Sequence, residues 1–141
     1  MQKVLIISML YYTLIYAKDF VGVVKSVQGT VYVKRENRTL NLNVGSILKR
    51  GDIIITKDKS SIGITFDDGT RISLGENSIF NINRYIFKPN KNQYDIDLKL
   101  IKGKALFNSG RVGKVAPESV KFNIPKGVIG IRGTEFVVEV D

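Results

Sequence analysis

Carboxylates are the side chains of this sequence with the clearest capacity for chemistry. Asp67 and Asp68 are adjacent, and Asp95 and Asp97 alternate along one predicted strand. Paired carboxylates serve in general acid–base catalysis, and oxygen ligands on one face bind hard cations. Neighbouring residues of a strand or turn point apart, however, and two ligands fall short of a calcium site. We therefore expect a turn at Asp67 and Asp68, and a solvated charged face at Asp95 and Asp97, which Lys99 continues.

Other residue types that commonly do chemistry are missing. The 141 residues include no histidine and no cysteine. This composition excludes the commonest general base, the soft metal ligands and disulfide bonds. We expect a protein that is not an enzyme, needs no cofactor and is stabilised by strand pairing and apolar burial.

Two short motifs have a functional and a structural interpretation. Arg50-Gly51-Asp52 spells an integrin-binding tripeptide, and Asn37-Arg38-Thr39 is a glycosylation sequon. Gly51-Asp52 also suits a turn into the apolar run IIIT that follows. We favour the turn over adhesion, and the sequon matters only in an organism that glycosylates such sites.

The chain is strongly basic, with 22 lysines and arginines against 13 acidic residues and a formal net charge of +9. Such a balance favours nucleic acid, anionic lipid or acidic glycan as a partner. The basic residues are scattered, and the densest stretches are KRENR (34–38) and LKR (48–50). Neither stretch has the interleaved aromatic residues of a nucleic-acid groove. We favour a solvated basic surface over a nucleic-acid site, and if the surface binds a partner, we expect that partner to be acidic.

The N-terminus has the pattern of a secretory leader. Lys3 precedes the apolar run VLIISMLYYTLIY, and Ala17 is a suitable last residue before cleavage. The run is shorter than the roughly 20 apolar residues that a membrane-spanning helix needs. We expect residues 1–17 to be a signal peptide and residues 18–141 to form one domain. The mature protein is then periplasmic or secreted and does not span a membrane.

Period-2 alternation dominates the mature chain, and no stretch has a convincing helical stripe. The clearest hairpin is FDDGTRISL, in which Asp68-Gly69 supplies the tight turn before Thr70. Further turns are predicted at residues 88–92 and near Lys102-Gly103, and NSGRVGKVAPES is predicted to be a loop. Strands that recur about every ten residues indicate an all-β, compact single domain of short, mostly antiparallel strands. A β-sandwich and a short solenoid-like roll both fit this pattern.

The C-terminal segment VIGIRGTEFVVEV resembles one strand whose alternation changes phase. Its apolar residues are odd-numbered and then even-numbered: Ile129 and Ile131, then Phe136, Val138 and Val140. A phase change needs an extra residue, and Gly133, between Arg132 and Thr134, accommodates a bulge with least strain. The bulge would bring Arg132 to the side of Glu135 while Phe136 anchors the second part. We favour a structural role for this motif over ligand binding.

The order of these motifs resembles the FecR domain. The matching stretches are GTVYVKR, VGSILKRGDIIIT, SSIGITFDDGTRISLGENS and IPKGVIGIRGTEFVV, which together span about residues 20 to 140. Asp68-Gly69-Thr70 matches the Asp-Gly-Ser/Thr turn of the family, and the stretch from Arg132 to Phe136 matches its Arg-Gly-Thr-x-Phe. Ile124-Pro125 departs from the usual Thr-Pro and lacks its hydroxyl.

The resemblance implies a bacterial envelope protein, and it leaves two hypotheses open. FecR domains occur in periplasmic regulators of iron-responsive sigma factors and in other exported proteins. The sigma-regulating members also carry an anti-sigma segment, a membrane helix and a receptor-facing domain, none of which the motifs here indicate. We expect a non-enzymatic binding or scaffolding module whose partner is an envelope protein or an acidic glycan. The alternative is an accessory of a signalling system whose transmembrane parts are on another chain.

Overall fold

Alternating apolar residues build twelve strands in the part of the chain that the computed structural model describes, residues 20–131 and 135–141. The strands are β1 (Phe20–Gln28), β2 (Val31–Arg35), β3 (Arg38–Asn41), β4 (Ile47–Lys49), β5 (Ile53–Thr56), β6 (Ser61–Phe66), β7 (Arg71–Leu74), β8 (Ile79–Lys88), β9 (Gln93–Asn108), β10 (Val120–Ile124), β11 (Gly127–Ile129) and β12 (Glu135–Val140). A four-residue helix, α1 (Val112–Val115), lies between β9 and β10. The predicted leader, residues 1–17, is outside the described residues.

Hydrogen bonds join the strands into one curled sheet. The order is β3-β2-β5-β8-β9-β7-β6-β1-β4, with β10 and β12 also on β9 and β11 on β10. All pairs are antiparallel except β10 with β9. The predicted all-β, mostly antiparallel domain is confirmed, and its form is a curled antiparallel sheet. The two ends of the strand order are β3 and β4, and within the described residues each has a neighbouring strand on one side only.

Strand β9 runs through the position of a predicted turn. The prediction of a turn near Lys102-Gly103 is wrong, because β9 is a single strand of 16 residues. Gly103 has a positive φ of 101°, and the pairing with β8 skips a residue just before it. A Cβ at Gly103 would lie 2.5 Å from the Cα of Ser78. The glycine therefore marks an irregularity in a long strand that pairs with β8 before it and with β7 and β12 after it.

The C-terminal phase change separates two strands. The prediction of one continuous strand is wrong, because β11 ends at Ile129, Gly130 and Ile131 are not in a strand, and β12 begins at Glu135. Strand β11 pairs with β10, whereas β12 pairs with the last part of β9. The apolar residues change phase because the two strands belong to different parts of the sheet. Gly133, where a bulge is predicted, lies outside the described residues.

The core is one cluster of buried apolar side chains. Its aromatic centre is formed by Phe107, Phe122 and Phe136, with ring centroids 4.9–5.9 Å apart. The predicted inward faces of the FDDGTRISL hairpin are buried, namely Ile62, Ile64, Phe66, Ile72 and Leu74. The loop predicted over NSGRVGKVAPES contains α1, whose Val112 is fully buried. Four residues are too few for a helical period to be visible in the sequence.

Candidate functional site: a basic cleft between the end strands

The structure brings together the two basic stretches that are densest in the sequence. The β2–β3 hairpin and the β4–β5 turn line one cavity of about 220 Å³. Its lining residues are Arg35, Glu36, Arg38, Lys49, Arg50, Gly51 and Asp52, which we call the basic cleft. Two stretches that are separate in sequence, residues 35–38 and 49–52, therefore form one charged site.

Two tight turns shape the basic cleft. Glu36 and Asn37 have positive φ values of 48° and 65°, the conformation that a two-residue hairpin requires at both central positions. Gly51 has a φ of 88°, which glycine adopts without strain. The predicted turn at Gly51-Asp52 is thus present. Asp52 is fully buried, so the Arg-Gly-Asp tripeptide does not present its carboxylate to an adhesion receptor.

A two-pronged ion pair forms the inner wall of the basic cleft. Arg35 Nε donates to Asp52 Oδ1 at 2.8 Å, and Arg35 Nη2 donates to Oδ2 at 2.7 Å. The hydrogen bond that Arg35 donates to Asp52 raises the pKa of Arg35, so the guanidinium stays charged. Two backbone groups of β4 join the pair: the Lys49 amide donates to Asp52 Oδ2 at 2.8 Å, and the Ile47 carbonyl accepts from Arg35 Nη2 at 3.1 Å. Such bidentate pairs fix geometry as well as charge.

The remaining charges of the basic cleft are not balanced. Once Arg35 is paired with Asp52, the lining has three cations, Arg38, Lys49 and Arg50, against one carboxylate, Glu36. Arg38, Lys49 and Arg50 are all exposed to solvent. The net excess of two positive charges attracts anionic groups.

An apolar groove continues from the basic cleft and shares Arg35 and Lys49 with it. The groove has a volume of about 440 Å³ and lies between the end strands β3 and β4. Leu40 of β3 and Ile47 of β4 line it and are 37% and 50% exposed. Volumes of about 300–1,000 Å³ are typical of ligand sites. The groove between the two end strands thus combines apolar surface with positive charge.

The predicted Asp68-Gly69-Thr70 turn is a buried anchor. Asp68 and Thr70 are 3% and 0% exposed. Asp68 Oδ1 accepts from Tyr85 Oη at 2.6 Å and the Thr70 amide at 3.1 Å, and Oδ2 accepts from Thr70 Oγ1 at 2.8 Å and the Val112 amide at 3.0 Å. The Gly110 amide donates to Thr70 Oγ1 at 2.9 Å. These bonds fasten the segment before α1 to the hairpin.

The anchor leaves no space for a ligand. A Cβ at Gly110 would collide with the backbone of Asp68, Gly69 and Thr70. Tyr85 stacks on Phe66 with ring centroids 4.3 Å apart. Burial raises the pKa of the Tyr85 phenol, with a further contribution from the charge of Asp68. The phenol therefore keeps its proton, and its O–H donates a hydrogen bond to the Asp68 carboxylate.

Asp95 and Asp97 are bound by a cation of the protein itself. Arg84 donates to both carboxylates, at 2.8 Å to Asp95 and 3.1 Å to Asp97. Asn83 and Asn123 also donate to Asp97, at 3.0 and 2.8 Å. No group of potential metal ligands occurs within residues 20–131 and 135–141. The face is charged, as predicted, but it is linked by hydrogen bonds rather than simply solvated.

The C-terminal motif is described only in part. Arg132, Gly133 and Thr134 lie outside the described residues, so the pairing of Arg132 with Glu135 stays a prediction. Glu135 is exposed. Phe136 stacks on Phe107 with centroids 4.9 Å apart, and it meets Phe122 edge-on at 5.3 Å.

The sequence alone does not predict the basic cleft. Both KRENR and LKR are visibly basic, but their convergence depends on the curl of the sheet, which brings β4, at one end of the strand order, beside β2 and β3 at the other end. The local signal was that each stretch lies at a turn between strands. Which turns meet is decided by long-range pairing, and a single sequence does not display it.

A comparison with protein-family models places the chain. A model described as FecR protein matches residues 52–141, well over half of the 141 residues. The chain belongs to the FecR family. The FecR match contains the whole Asp68 anchor, whereas every residue of the basic cleft except Asp52 precedes it. Comparisons with curated proteins and with solved structures gave no match.

The FecR-family match begins after four strands that the fold needs. Strand β1 pairs with β6, and β2 pairs with β5, so residues before position 52 complete the same sheet. Within residues 20–131 and 135–141, no helix has the length and apolar character to cross a membrane.

Proposed function

We propose that this FecR-family chain is an exported, non-enzymatic binding module of the bacterial cell envelope. Its acidic partner binds in the basic cleft. The observation that carries the proposal is the convergence of KRENR and LKR around one cavity with an excess of positive charge. A solvated basic surface requires no such convergence.

The arrangement of Arg35 supports binding rather than catalysis. Arg35 and Asp52 neutralise each other and hold the wall rigid, while Arg38, Lys49 and Arg50 remain directed to solvent. The chain has no histidine or cysteine to act as a base or nucleophile near them. An envelope protein with acidic residues and an acidic glycan both have the charge that the cleft favours.

Membership of the FecR family favours a second candidate function. In that case the module is a periplasmic accessory of a sigma-factor and receptor signalling system whose transmembrane parts are on another chain. A neighbouring gene for a sigma factor or an outer-membrane receptor would favour this candidate. Neighbouring genes for envelope assembly or adhesion would favour the scaffolding module.

A cross-linking pull-down from bacterial envelope extract tests the proposed function. The parent protein is compared with the double variant Arg38→Glu and Arg50→Glu, and with the matched control Lys114→Glu and Lys121→Glu, which has the same net charge change on other exposed residues. We expect captured material to be lost with the cleft variant and retained with the control. Equal loss with both variants would indicate attraction by net charge alone and would contradict the proposal.

Export requires a separate test. Cleavage of the leader after Ala17 predicts a mature protein that begins at Lys18. Mass analysis of the N-terminus of periplasmic or secreted protein measures this directly. Intact Met1 on protein from the cytoplasm would contradict export.

A further inference from the structure

We propose that the groove between β3 and β4 binds an extended, acidic segment of a partner protein, which adds to β3 as a further strand. This inference rests on the proposed function, and it names the class and the conformation of the partner. The two end strands of the sheet differ in whether their outward backbone groups already have partners.

The free edge of β4 is already occupied by side chains. Its pairing with β1 uses one side of the strand, which leaves Ile47 and Lys49 with backbone groups toward the other side. The Ile47 carbonyl accepts from Arg35, and the Lys49 amide donates to Asp52. An exposed edge is commonly protected against strand addition by such charged side chains. Strand β4 is therefore not available for pairing.

The free edge of β3 has open backbone positions. Arg38 pairs with Arg35 next to the two-residue turn, and the Leu42 amide donates to the Val31 carbonyl at 2.9 Å. Because hydrogen-bonding directions alternate along an antiparallel strand, the backbone groups of Thr39 and Asn41 point away from β2. Among residues 20–131 and 135–141, no strand pairs with this edge of β3. Two N–H and two C=O groups are thus presented to an incoming strand.

The groove beside this edge suits a peptide better than a glycan. Leu40 and Ile47 offer apolar surface to every second side chain of an added strand. Arg38, Lys49 and Arg50 lie at the continuous basic cleft, where carboxylates of the same segment would bind. An acidic glycan uses the charges but neither the apolar surface nor the repeating edge amides. Charge and backbone pattern together favour an extended acidic segment.

A labelled model peptide tests the inference in solution. The probe is a peptide of alternating glutamate and valine, about eight residues long, which is within the usual length of a strand. Its affinity for the mature protein is measured by fluorescence anisotropy. A second peptide of the same sequence carries N-methyl groups on alternate amides, which removes donors and blocks strand pairing on one edge. We expect N-methylation to weaken binding about tenfold, as the loss of two hydrogen bonds predicts.

Substitutions at Asn41 of the protein test the same backbone hydrogen bonds. Asn41→Pro removes an amide that points away from β2, so the bonds within the hairpin are kept. Asn41→Val is the matched control, because it changes the side chain and keeps the amide. Because Asn41→Pro removes one donor, we expect it to weaken peptide binding about threefold, and we expect Asn41→Val to change the affinity by less than about twofold. Thermal unfolding of both variants establishes that they are folded.

The outcomes separate this inference from the proposed function. Loss of binding with Arg38→Glu and Arg50→Glu, but no effect of N-methylation or Asn41→Pro, would overturn strand addition and leave the basic cleft as the site. Displacement of the peptide by polygalacturonate at equal carboxylate concentration, with no effect of N-methylation, would indicate a glycan site. Binding that is insensitive to the cleft variant would overturn both proposals. Failure of the peptide to bind at low salt would overturn strand addition.

Discussion

Two buried carboxylates, Asp52 and Asp68, lie in different environments in this molecule. Asp68 is surrounded by neutral donors, and the segment before α1 closes over it. Asp52 binds a cation, Arg35, and lies in the wall of an open cavity. Asp68 is inside the range matched by the family model and far from its start, whereas Asp52 is the first residue of that range.

The difference shows that burial alone does not identify a functional carboxylate. Asp68 accepts four hydrogen bonds from neutral groups of the protein, and the closely packed Gly110 backbone leaves no space for a ligand. Asp52 neutralises one arginine and thereby holds the β4 edge closed, while three further cations stay exposed beside it. The first site stabilises the fold, and we propose that the second prepares a binding surface.

The largest effect is expected for Asp68→Ala. The substitution leaves the Tyr85 hydroxyl and the Thr70 and Val112 amides without their acceptor, and buried unsatisfied groups cost about 1–3 kcal/mol each. We expect the free energy of unfolding to fall by about 3–4 kcal/mol, because partial relaxation reduces the sum. The exposed neighbour gives a control: Asp67→Ala should change it by less than about 0.5 kcal/mol. Chemical denaturation measures both, and a similar effect of the two changes would contradict the anchor.

A smaller loss of stability, together with tighter peptide binding, is expected for Asp52→Asn. The amide removes the negative charge opposite Arg35, whose side chain is 17% exposed. We expect the free energy of unfolding to fall by about 2 kcal/mol, which is less than the usual cost of breaking a fully buried ion pair. Because the cleft loses a negative charge, its net positive charge rises, and binding of the glutamate–valine peptide should tighten. Weaker binding by a folded Asp52→Asn protein would show that the carboxylate has a different role in the cleft.

Alkaline pH should weaken the Asp68 anchor through Tyr85. The folded pKa of Tyr85 lies above its ordinary value of 10.0. The stability linked to its proton is therefore fully present below pH 10 and is lost as pH rises above it, by about 1.4 kcal/mol per pH unit. Tyr85→Phe loses the hydrogen bond at neutral pH but should have a shallower alkaline decline. Unfolding curves of both proteins from pH 8 to about 11.5 compare the slopes, and equal slopes would contradict the assignment.

The smallest effect on stability is expected for charge reversal in the cleft. Arg38 and Arg50 are exposed, so Arg38→Glu with Arg50→Glu should change the free energy of unfolding by about 0.5 kcal/mol or less. Binding of the acidic peptide should nevertheless fall, and parent binding should weaken between low and physiological salt because charges are screened within about 8–10 Å. Anisotropy titrations at two salt concentrations measure this. Binding by the parent that does not depend on salt would indicate an apolar contact instead.

Local patterns in the sequence predicted the all-β class and several faces of the core. Ile62, Ile64 and Phe66 alternate, and the Asp68-Gly69 turn has the composition of a hairpin. The sequence around Gly103 predicts a turn wrongly, because a single glycine has the same local signature in a turn and in a strand irregularity. The sequence contained the charges of the basic cleft but not their convergence, since that depends on pairings between distant strands.

The same limit applies to the C-terminal segment. Its change of phase between Ile131 and Phe136 is visible in the sequence, but the reason lies in the partners of β11 and β12. Pairing partners are set by the whole sheet. A pattern within one segment shows that the side chains change sides, and it does not show whether one strand or two are responsible.

Amide hydrogen exchange with and without the glutamate–valine peptide tests the central claim most directly, because it reads the end-strand groove and the Asp68 anchor in one experiment. We predict slower exchange in residues 38–41 and the adjoining cleft when the peptide is bound, most clearly at Thr39 and Asn41. Exchange of the Thr70 and Val112 amides should be unchanged, since the anchor is closed in both states. Protection confined to the anchor, or elsewhere in the sheet with none at β3, would contradict the account.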